Sequence, residues 1–483
     1  MKILFIASEC VPFSKTGGLA DVVGALPKVL AARAHEVSVF LPRYRVTPPG
    51  RVVIPRLTLP LGSRVHHPAV QQGPTLDGVR FFFLEYPPYF DRENLYVDNG
   101  KDYPDNAQRF ALFARAALEF ARQTGAPDLF HCHDWQAALV PVFLKSVYAD
   151  DPQLGRVPTI LTVHNLGYQG LFPAGTLKRL GLPGALFRLD GLKFRGKVNF
   201  LKGGLVFADF LTTVSRKYAQ EIQTPEYGHG LDSVIRRRAA TVAGILNGVD
   251  YSQWNPETDS FLVANYSREN LEGKRLCKQD LLQQFRLPAA RVRKPLVGIV
   301  SRFAAQKGFD LIAKAAEKLM KNDLQIVVLG TGEPKFEKLF RRLARRFPQR
   351  IGVRIAYDNS LAHKIEAGSD MFLMPSRYEP CGLNQIYSLR YGTVPLVRAT
   401  GGLDDTIEPF DLSTGRGTGF KFRDYSAKAL LGCLARALRL YARNPGAWRQ
   451  LIRNGMEKDY SWDNAAAEYE QLYRRVVKFP QKG

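Results

Sequence analysis

The sequence predicts an α/β protein made of two doubly wound units with parallel sheets, and three observations carry that prediction. Short apolar runs of strand length alternate along the whole chain with stretches of helical periodicity. The runs fall into two series separated by a turn signal, Asn247-Gly248, with no internal repeat or low-complexity tract. Several runs end directly in Gly-rich or charged turns, which is where an open parallel sheet gathers ligands.

The first series consists of strands over residues 2–7, 37–40, 80–84, 129–132, 159–163 and 210–214. The opening run lies in MKILFIASEC and is soon followed by Pro12, Ser14 and Lys15, so it reads as a first strand and not as a secretory segment. After it, Lys15-Thr16-Gly17-Gly18-Leu19-Ala20-Asp21 reads as a flexible Gly pair opening a helix. Its amides can approach a phosphate or sugar closely and Lys15 adds a positive charge, although packing alone explains many such Gly turns. Later strands deliver His133-Asp134-Trp135 and His164-Asn165.

The second series consists of strands over residues 296–300, 325–329, 353–356, 371–374 and 394–397. It delivers Ser301-Arg302 with Lys307 five residues on, then Gly330-Thr331-Gly332, Tyr357-Asp358, and Arg377-Tyr378-Glu379-Pro380-Cys381-Gly382-Leu383. The last stretch puts a carboxylate, a turn-fixing Pro and a Gly that admits a ligand at one strand end. The neighbouring run ends in Thr400-Gly401-Gly402-Leu403-Asp404-Asp405, a Gly-rich turn that starts a helix. Two such ends converging on one polar pocket point to a site.

Composition narrows the function classes. A chain of 483 residues with 45% hydrophobic content supports about two to four domains with cores of their own. No apolar run approaches the roughly 20 residues that span a bilayer, so no membrane span and a cytoplasmic location are expected. Five cysteines without CxxC spacing fit a reducing compartment and argue against a disulfide framework or a zinc ribbon. The net charge is +23, and residues 291–350 alone hold fifteen basic and five acidic side chains. Within them Arg341, Arg342, Arg345 and Arg346 read either as an anion-binding patch or as a solvated helix face. No nucleic-acid recognition motif accompanies them, which favours the second and disfavours nucleic acid as a partner.

Three constellations have bland readings. In His131-Cys132-His133-Asp134 alternate residues face opposite ways, so only His131 and His133 share a face, and no metal site is expected. Val328-Leu329-Gly330-Thr331-Gly332 begins like a dinucleotide fingerprint, but Lys335 stands in place of the third Gly. Arg302 and Lys307 are either surface cations or binders of an anionic ligand, and their place after a buried-looking strand raises the second.

Eight segments resemble those of bacterial glycogen synthases and plant starch synthases, in the family's order over nearly the whole chain. They are KTGGLADVVGALPKVL (15–30), HCHDWQAAL (131–139), TVHNLGYQGLFP (162–173), NFLKGGLVFADFLTTVS (199–215), YGHGLD (227–232), GILNGVDYSQWNPETD (244–259), SRFAAQKGFDL (301–311) and LMPSRYEPCGLNQIYSLRYGTVPLVRATGGLDDTI (373–407). The resemblance implies a GT-B architecture, two Rossmann-like doubly wound domains facing each other across a cleft. Residues 1–243 would form the acceptor side, 244–460 the donor side, and 461–483 a helix crossing back to the first domain, with a hinge near 244–250. The implied activity is retaining transfer of glucose from a nucleotide sugar to the non-reducing end of an α-1,4-glucan, glycogen or a malto-oligosaccharide, with no cofactor.

Position 387 refines the branch. Broader retaining enzymes of this architecture place a second Glu eight residues after the first, whereas this chain has Tyr387, as the glycogen and starch synthases do. The resemblance also favours ADP-glucose over UDP-glucose, because the animal and fungal UDP-glucose enzymes look quite different. A UDP-glucose-using synthase or another GT-B sugar-nucleotide enzyme is the alternative, and a basic binder of nucleic acid or glucan is a third class. Ala34 and Asn384 depart from the family, which often has Gly and Thr there, and Asn384 lies in the donor segment.

Loss of the nucleotide diphosphate leaves negative charge on phosphate and positive charge on an oxocarbenium-like sugar. The resemblance assigns Arg302 and Lys307 to the phosphates, Glu379 to the donor's sugar hydroxyls, and His164 to the reacting glucose. It assigns Lys15, Asp21 and Asp134 to the cleft side of the first domain, Tyr357 to the nucleobase, and Asn247, Cys381, Gly382 and Leu383 to the donor site. The amides of Gly17-Gly18 and of the turn Thr400, Gly401, Gly402 and Leu403 are expected to add oriented donors.

Overall fold

The computed structural model describes residues 1–98 and 100–478. The chain divides into two compact units: Met1–Val214 with Ala219–Gly248 and Trp462–Gly483, and Ser215–Tyr218 with Val249–Ser461. Residues 479–483 of the expected C-terminal helix lie outside the described residues.

The first unit is built on one nine-stranded sheet. Its strands are β1 (Lys2–Ile6), β2 (Glu36–Pro42), β3 (Arg51–Ile54), β4 (Ala69–Leu76), β5 (Val79–Glu85), β6 (Leu129–His133), β7 (Thr159–Val163), β8 (Phe210–Thr213) and β9 (Val242–Gly244). They lie in the order β9-β8-β7-β6-β1-β2-β5-β4-β3. Pairing is parallel from β9 to β5. It turns antiparallel at β4 and β3, two strands outside the predicted parallel series. Neither strand carries an apolar run as long as those of the inner strands: Gly73 and Pro74 interrupt β4, with a register shift between Gln72 and Thr75, and β3 offers only Val52-Val53-Ile54, with Arg51 and Val52 exposed. β3 is the edge strand, and its pairing with β4 ends at Gln72, so Gly73 and Pro74 fall where β4 has no partner on that side and one row of backbone groups needs none.

The core under β1 and β2 joins Ile3, Phe5, Val37 and Val39 to two helices. Gly18–Ala32 contributes Leu19, Val22, Val23, Leu26 and Leu30. Trp462–Lys478 contributes Trp462, Ala465, Ala466, Tyr469, Leu472, Tyr473 and Val476, an i, i+3, i+4, i+7 stripe. Polar ties fix that last helix: Glu470 meets Arg33 at 3.2 Å and His35 at 2.8 Å, and the Tyr473 hydroxyl bonds His131 Nδ1 at 2.8 Å.

The second unit holds an all-parallel sheet of β10 (Leu296–Val300), β11 (Gln325–Gly330), β12 (Ile351–Ile355), β13 (Met371–Met374), β14 (Val394–Arg398) and β15 (Phe420–Phe422). The order is β12-β11-β10-β13-β14-β15. The helix Pro334–Arg346 buries Phe336, Leu339, Phe340 and Leu343 against it. Its other face is cationic and partly paired, with Arg341 on Glu337 and Arg346 on Glu317, so that face is solvated helix surface. All five cysteines are buried free thiols. Among the described residues, no helix is long and apolar enough to cross a membrane.

Each sheet reverses its winding once. In the first unit the chain builds outward from β1 through β2 to one side and from β6 through β7 to the other, so β1 and β6 flank the switch. In the second unit β10 and β13 flank it. Crevices at the carboxyl ends of such strand pairs are where open α/β sheets bind ligands.

Candidate active site

At the first unit's switch, the turn after β1 is organised by Glu9, which is 4% exposed. Its carboxylate accepts the Thr16 amide, the Thr16 hydroxyl at 2.7 Å, the Gly17 amide at 3.2 Å and the Tyr96 hydroxyl at 2.6 Å. The Gly17 amide is therefore spent on an internal carboxylate, which corrects the expectation that it stands ready for an outside anion. A buried carboxylate must gather donors, and this turn supplies them. Lys15 is likewise paired, with Asp21 at 2.6 Å. Neither Gly17 nor Gly18 is required by packing, since a Cβ on either meets nothing within 4 Å. Sequence reasoning missed Glu9 and Tyr96; the one available signal was that Glu9 is the sole acid before Asp21.

Asp134 follows β6 with φ of 54°, a left-handed conformation that Asp tolerates better than most residues. There its Oδ1 accepts the His164 amide at 2.7 Å. Burial pushes its carboxyl up to about 7, opposed by the His164 and Asn165 amides it accepts. His133 Nδ1 lies 3.0 Å from His164 Nε2. Burial drives both imidazoles down, His164 to about 3, so both are neutral at physiological pH. His131 shares a face with His133 but bonds Tyr473 and Thr162. Among the described residues no group of three or more His, Cys, Asp or Glu is placed to hold a metal ion. Asn247 also belongs to this unit, and its buried Oδ1 has no partner among the described residues.

At the second unit's switch, β10 and β13 bring Lys307 and Glu379 together. Lys307 Nζ lies 2.9 and 2.7 Å from the two Glu379 oxygens, and Ser376 Oγ donates to Oε2 at 2.9 Å. Glu379 is 5% exposed, so these donors stand where water would otherwise solvate its carboxylate. Lys307 sits on the short turn Ala305–Lys307, closed by Gly308 at φ 75°. A Cβ there would overlap the Pro375 carbonyl oxygen, which explains why the turn can lie so close to the segment leading to Glu379. The Arg377 amide donates to Gln306 O at 2.7 Å and locks the two segments together.

The loop 379–383 is braced by Gln385, which donates to Cys381 O and Gly382 O, and by the turn after β14. A side chain at Gly401 would strike the Glu379 carbonyl oxygen. The Gly402 amide donates to Glu379 O at 3.1 Å and the Leu403 amide to Thr400 O at 3.1 Å. These amides hold the Glu379 loop and the helix start, which corrects their expected role as donors to a ligand. Cys381 is buried; Tyr357, after β12, is 79% exposed and offers an open ring face. Arg302 is exposed after β10 and lies in the field of Glu333, a carboxylate held low mainly by Lys335 and the Ala305 amide. Asn384 spends its amide on Val300 O at 2.9 Å, tying its helix to β10 beside Ser301 and Arg302.

Residues 2–237 match the family model described as starch synthase catalytic domain, and residues 283–457 the one described as glycosyl transferases group 1. The chain is 57% identical over 478 residues to a glycogen synthase of Koribacter versatilis, covering 99% of this chain and 98% of that protein. It is 48% identical over 486 residues to glycogen synthase 1 of Geobacter sulfurreducens, with 99% and 97% covered. Among solved structures it resembles the catalytic domain of starch synthase IV from Arabidopsis thaliana bound to ADP and acarbose. That match has a TM-score of 0.89 and 35% identity, and covers 99% of both chains. A sucrose-phosphate synthase from Thermosynechococcus elongatus shares the fold at a TM-score of 0.61 and 20% identity over 98% of both chains. The fold is GT-B, and the chain belongs to the glycogen and starch synthase family of glycosyltransferases.

Proposed function

We propose that the enzyme transfers glucose from ADP-glucose to the non-reducing end of an α-1,4-glucan with retention at the anomeric carbon. The observation that carries this reading is the Lys307–Glu379 pair at the second unit's switch, a cation and a carboxylate side by side beyond the carboxyl ends of the two flanking strands, where open α/β sheets bind ligands. A nucleotide sugar presents a diphosphate next to a sugar, and the pair matches that order of charge. Lys307 and Arg302 meet the phosphates, where charge builds as the bond breaks, and Glu379 meets the sugar, where positive charge builds. Tyr357 takes the nucleobase on its exposed ring. The starch synthase IV relative is described with ADP bound, and ADP is what ADP-glucose leaves behind.

In the first unit His164 acts on the glucose and Asp134 holds the His164 backbone. Both oxygens of Glu379 are held by Lys307, which suits an electrostatic partner better than an attacking nucleophile. Retention then follows a front-face course. The bond from C1 to the phosphate oxygen breaks, the acceptor O4 bonds C1 on the same face, and its proton passes to the departing phosphate. Five buried free thiols fit a reducing cytoplasm as the setting.

The test is incubation of labelled ADP-glucose or UDP-glucose with glycogen, with and without chelator, following label into polymer. Far higher kcat/KM with ADP-glucose, undiminished by chelator, is expected. Higher kcat/KM with UDP-glucose would overturn the donor assignment.

A further inference from the structure

We propose that His133 is a positioning residue that, with Asp134, clamps His164 and fixes its imidazole proton on Nδ1, so that His164 meets the sugar as a hydrogen-bond donor. This rests on the role given to His164 above and deepens it. The clamp has two jaws, both delivered by the end of β6. Asp134 Oδ1 takes the His164 backbone amide at 2.7 Å, which sets the residue's position. His133 Nδ1 lies 3.0 Å from His164 Nε2, which sets the ring. His133 is 0% exposed, stacked on Phe5 at 5.5 Å and against His131 at 4.3 Å, so its own ring has little freedom. His131 does not compete for the contact, because its two nitrogens are taken by Tyr473 at 2.8 Å and Thr162 at 2.6 Å.

The direction of the shared hydrogen bond follows from what surrounds it. One proton lies between the two facing nitrogens of two neutral rings. If it belonged to His164 Nε2, His133 would carry its proton on Nε2, which is buried with no acceptor among the described residues. An orphaned buried N–H costs more than a bare lone pair. The proton therefore belongs to His133 Nδ1, and His164, accepting at Nε2, keeps its own proton on Nδ1. His164 is only half-buried, unlike His133, so this N–H is its donor to a ligand. A sugar hydroxyl oxygen, rich in lone pairs, is the group such a donor fits.

The proposal is read directly from the enzyme labelled with 15N-histidine, by long-range proton–nitrogen correlation at neutral pH, with His164 assigned from its loss in His164→Gln. Wild-type His164 is expected to show a protonated Nδ1 and a bare Nε2. His133→Leu should release it toward the Nε2–H form that dominates in free histidine. His133→Asn, whose amide stands near the Nδ1 position, should retain the Nδ1–H form. In turnover of ADP-glucose with glycogen, His133→Leu should lower kcat by up to about tenfold, the scale of one hydrogen bond, with KM little changed and kcat recovered in His133→Asn. A wild-type His164 with its proton on Nε2, or an unchanged tautomer in His133→Leu, overturns the clamp. Should His133→Leu fail to fold, the wild-type spectrum and His133→Asn still decide. An Nδ1–H tautomer combined with full turnover in His164→Ala would overturn the role at the sugar while leaving the clamp standing.

Discussion

Replacing Lys307 by Ala tests stability and catalysis at one point. The ammonium makes contacts of 2.9 and 2.7 Å to Glu379, and Ser376 Oγ remains at 2.9 Å when it is gone. Glu379 is 5% exposed, so a charge is stranded in a poorly solvated place. Breaking a fully buried pair from one side costs about 3–5 kcal/mol. The Lys307 side chain is 22% exposed, so water replaces part of what is lost; about 2–3 kcal/mol is the expected cost. Turnover should fall about a hundredfold or more, the scale of one oriented electrostatic group. Urea unfolding followed by tryptophan fluorescence measures the first, and nucleotide release with ADP-glucose and glycogen the second. Combining Lys307→Ala with Glu379→Gln separates the two roles, since the amide removes the stranded charge. Stability should then recover by about 1 kcal/mol or more, while turnover stays low because both transition-state charges have lost their partners. Near-normal turnover in Lys307→Ala would make it a structural cation. Recovered turnover in the double variant would mean that Lys307 serves only to neutralise Glu379.

Gly18→Ala should fold with an unchanged melting temperature, because its Cβ meets open space, yet lose activity if a ligand approaches that backbone; unchanged turnover would remove the Gly pair from the site. Tyr473→Phe leaves buried His131 Nδ1 without its 2.8 Å partner and should cost about 1–3 kcal/mol in urea unfolding. Asp134 is raised in the folded state, so the stability it contributes is complete below about pH 4 and is lost as pH rises through about 7. Asp134→Asn, which suits φ of 54° and still offers Oδ1 to His164, should therefore gain stability over the wild type as pH increases across that window; a constant difference would show that the carboxyl titrates normally.

How much of this was legible depended on where each residue's partners lie. β7, β10 and β13 have the predicted bounds because strands buried on both faces read as continuous apolar runs. β3 and β4 escaped the reading because the apolar run of the edge strand β3 is only Val52-Val53-Ile54, and Gly73 and Pro74 interrupt β4. At the site, Lys307 and Glu379 were each readable from their place after a strand, but their pairing needs β10 and β13 to be neighbours, a property of strand order and not of spacing. Glu9 was missed because its partners, Thr16, Gly17 and Tyr96, converge only in three dimensions. The amides of Gly17 and Gly402 were misjudged for a related reason. A helix start looks like an anion site in one dimension, and only the fold shows that Glu9 and the Glu379 carbonyl already use those donors.

Position 387 shows where a difference in sequence becomes a difference in packing. The Tyr387 ring stacks on Trp254 at 3.8 Å and 5°, and Trp254 stacks on His363 at 3.6 Å and 13°. Behind them Asp259 meets His363 Nδ1 at 2.8 Å and the Tyr391 hydroxyl at 2.5 Å. A carboxylate at 387 would face the negative π surface of an indole, with Asp259 already supplying an anion to the cluster. Tyr387→Glu therefore creates no second acid beside Glu379. It should cost about 2–4 kcal/mol through the lost stack and a poorly solvated charge, and it should unfold at lower urea without raising turnover. Tyr387→Phe keeps the ring and is the control that separates stack from charge. A Tyr387→Glu variant with wild-type stability, or with faster transfer, would show that the space admits a carboxylate after all. Loss of stability confined to the Glu variant would mean that the space at position 387 is built for a ring stacked on Trp254 and not for a second carboxylate eight residues after Glu379.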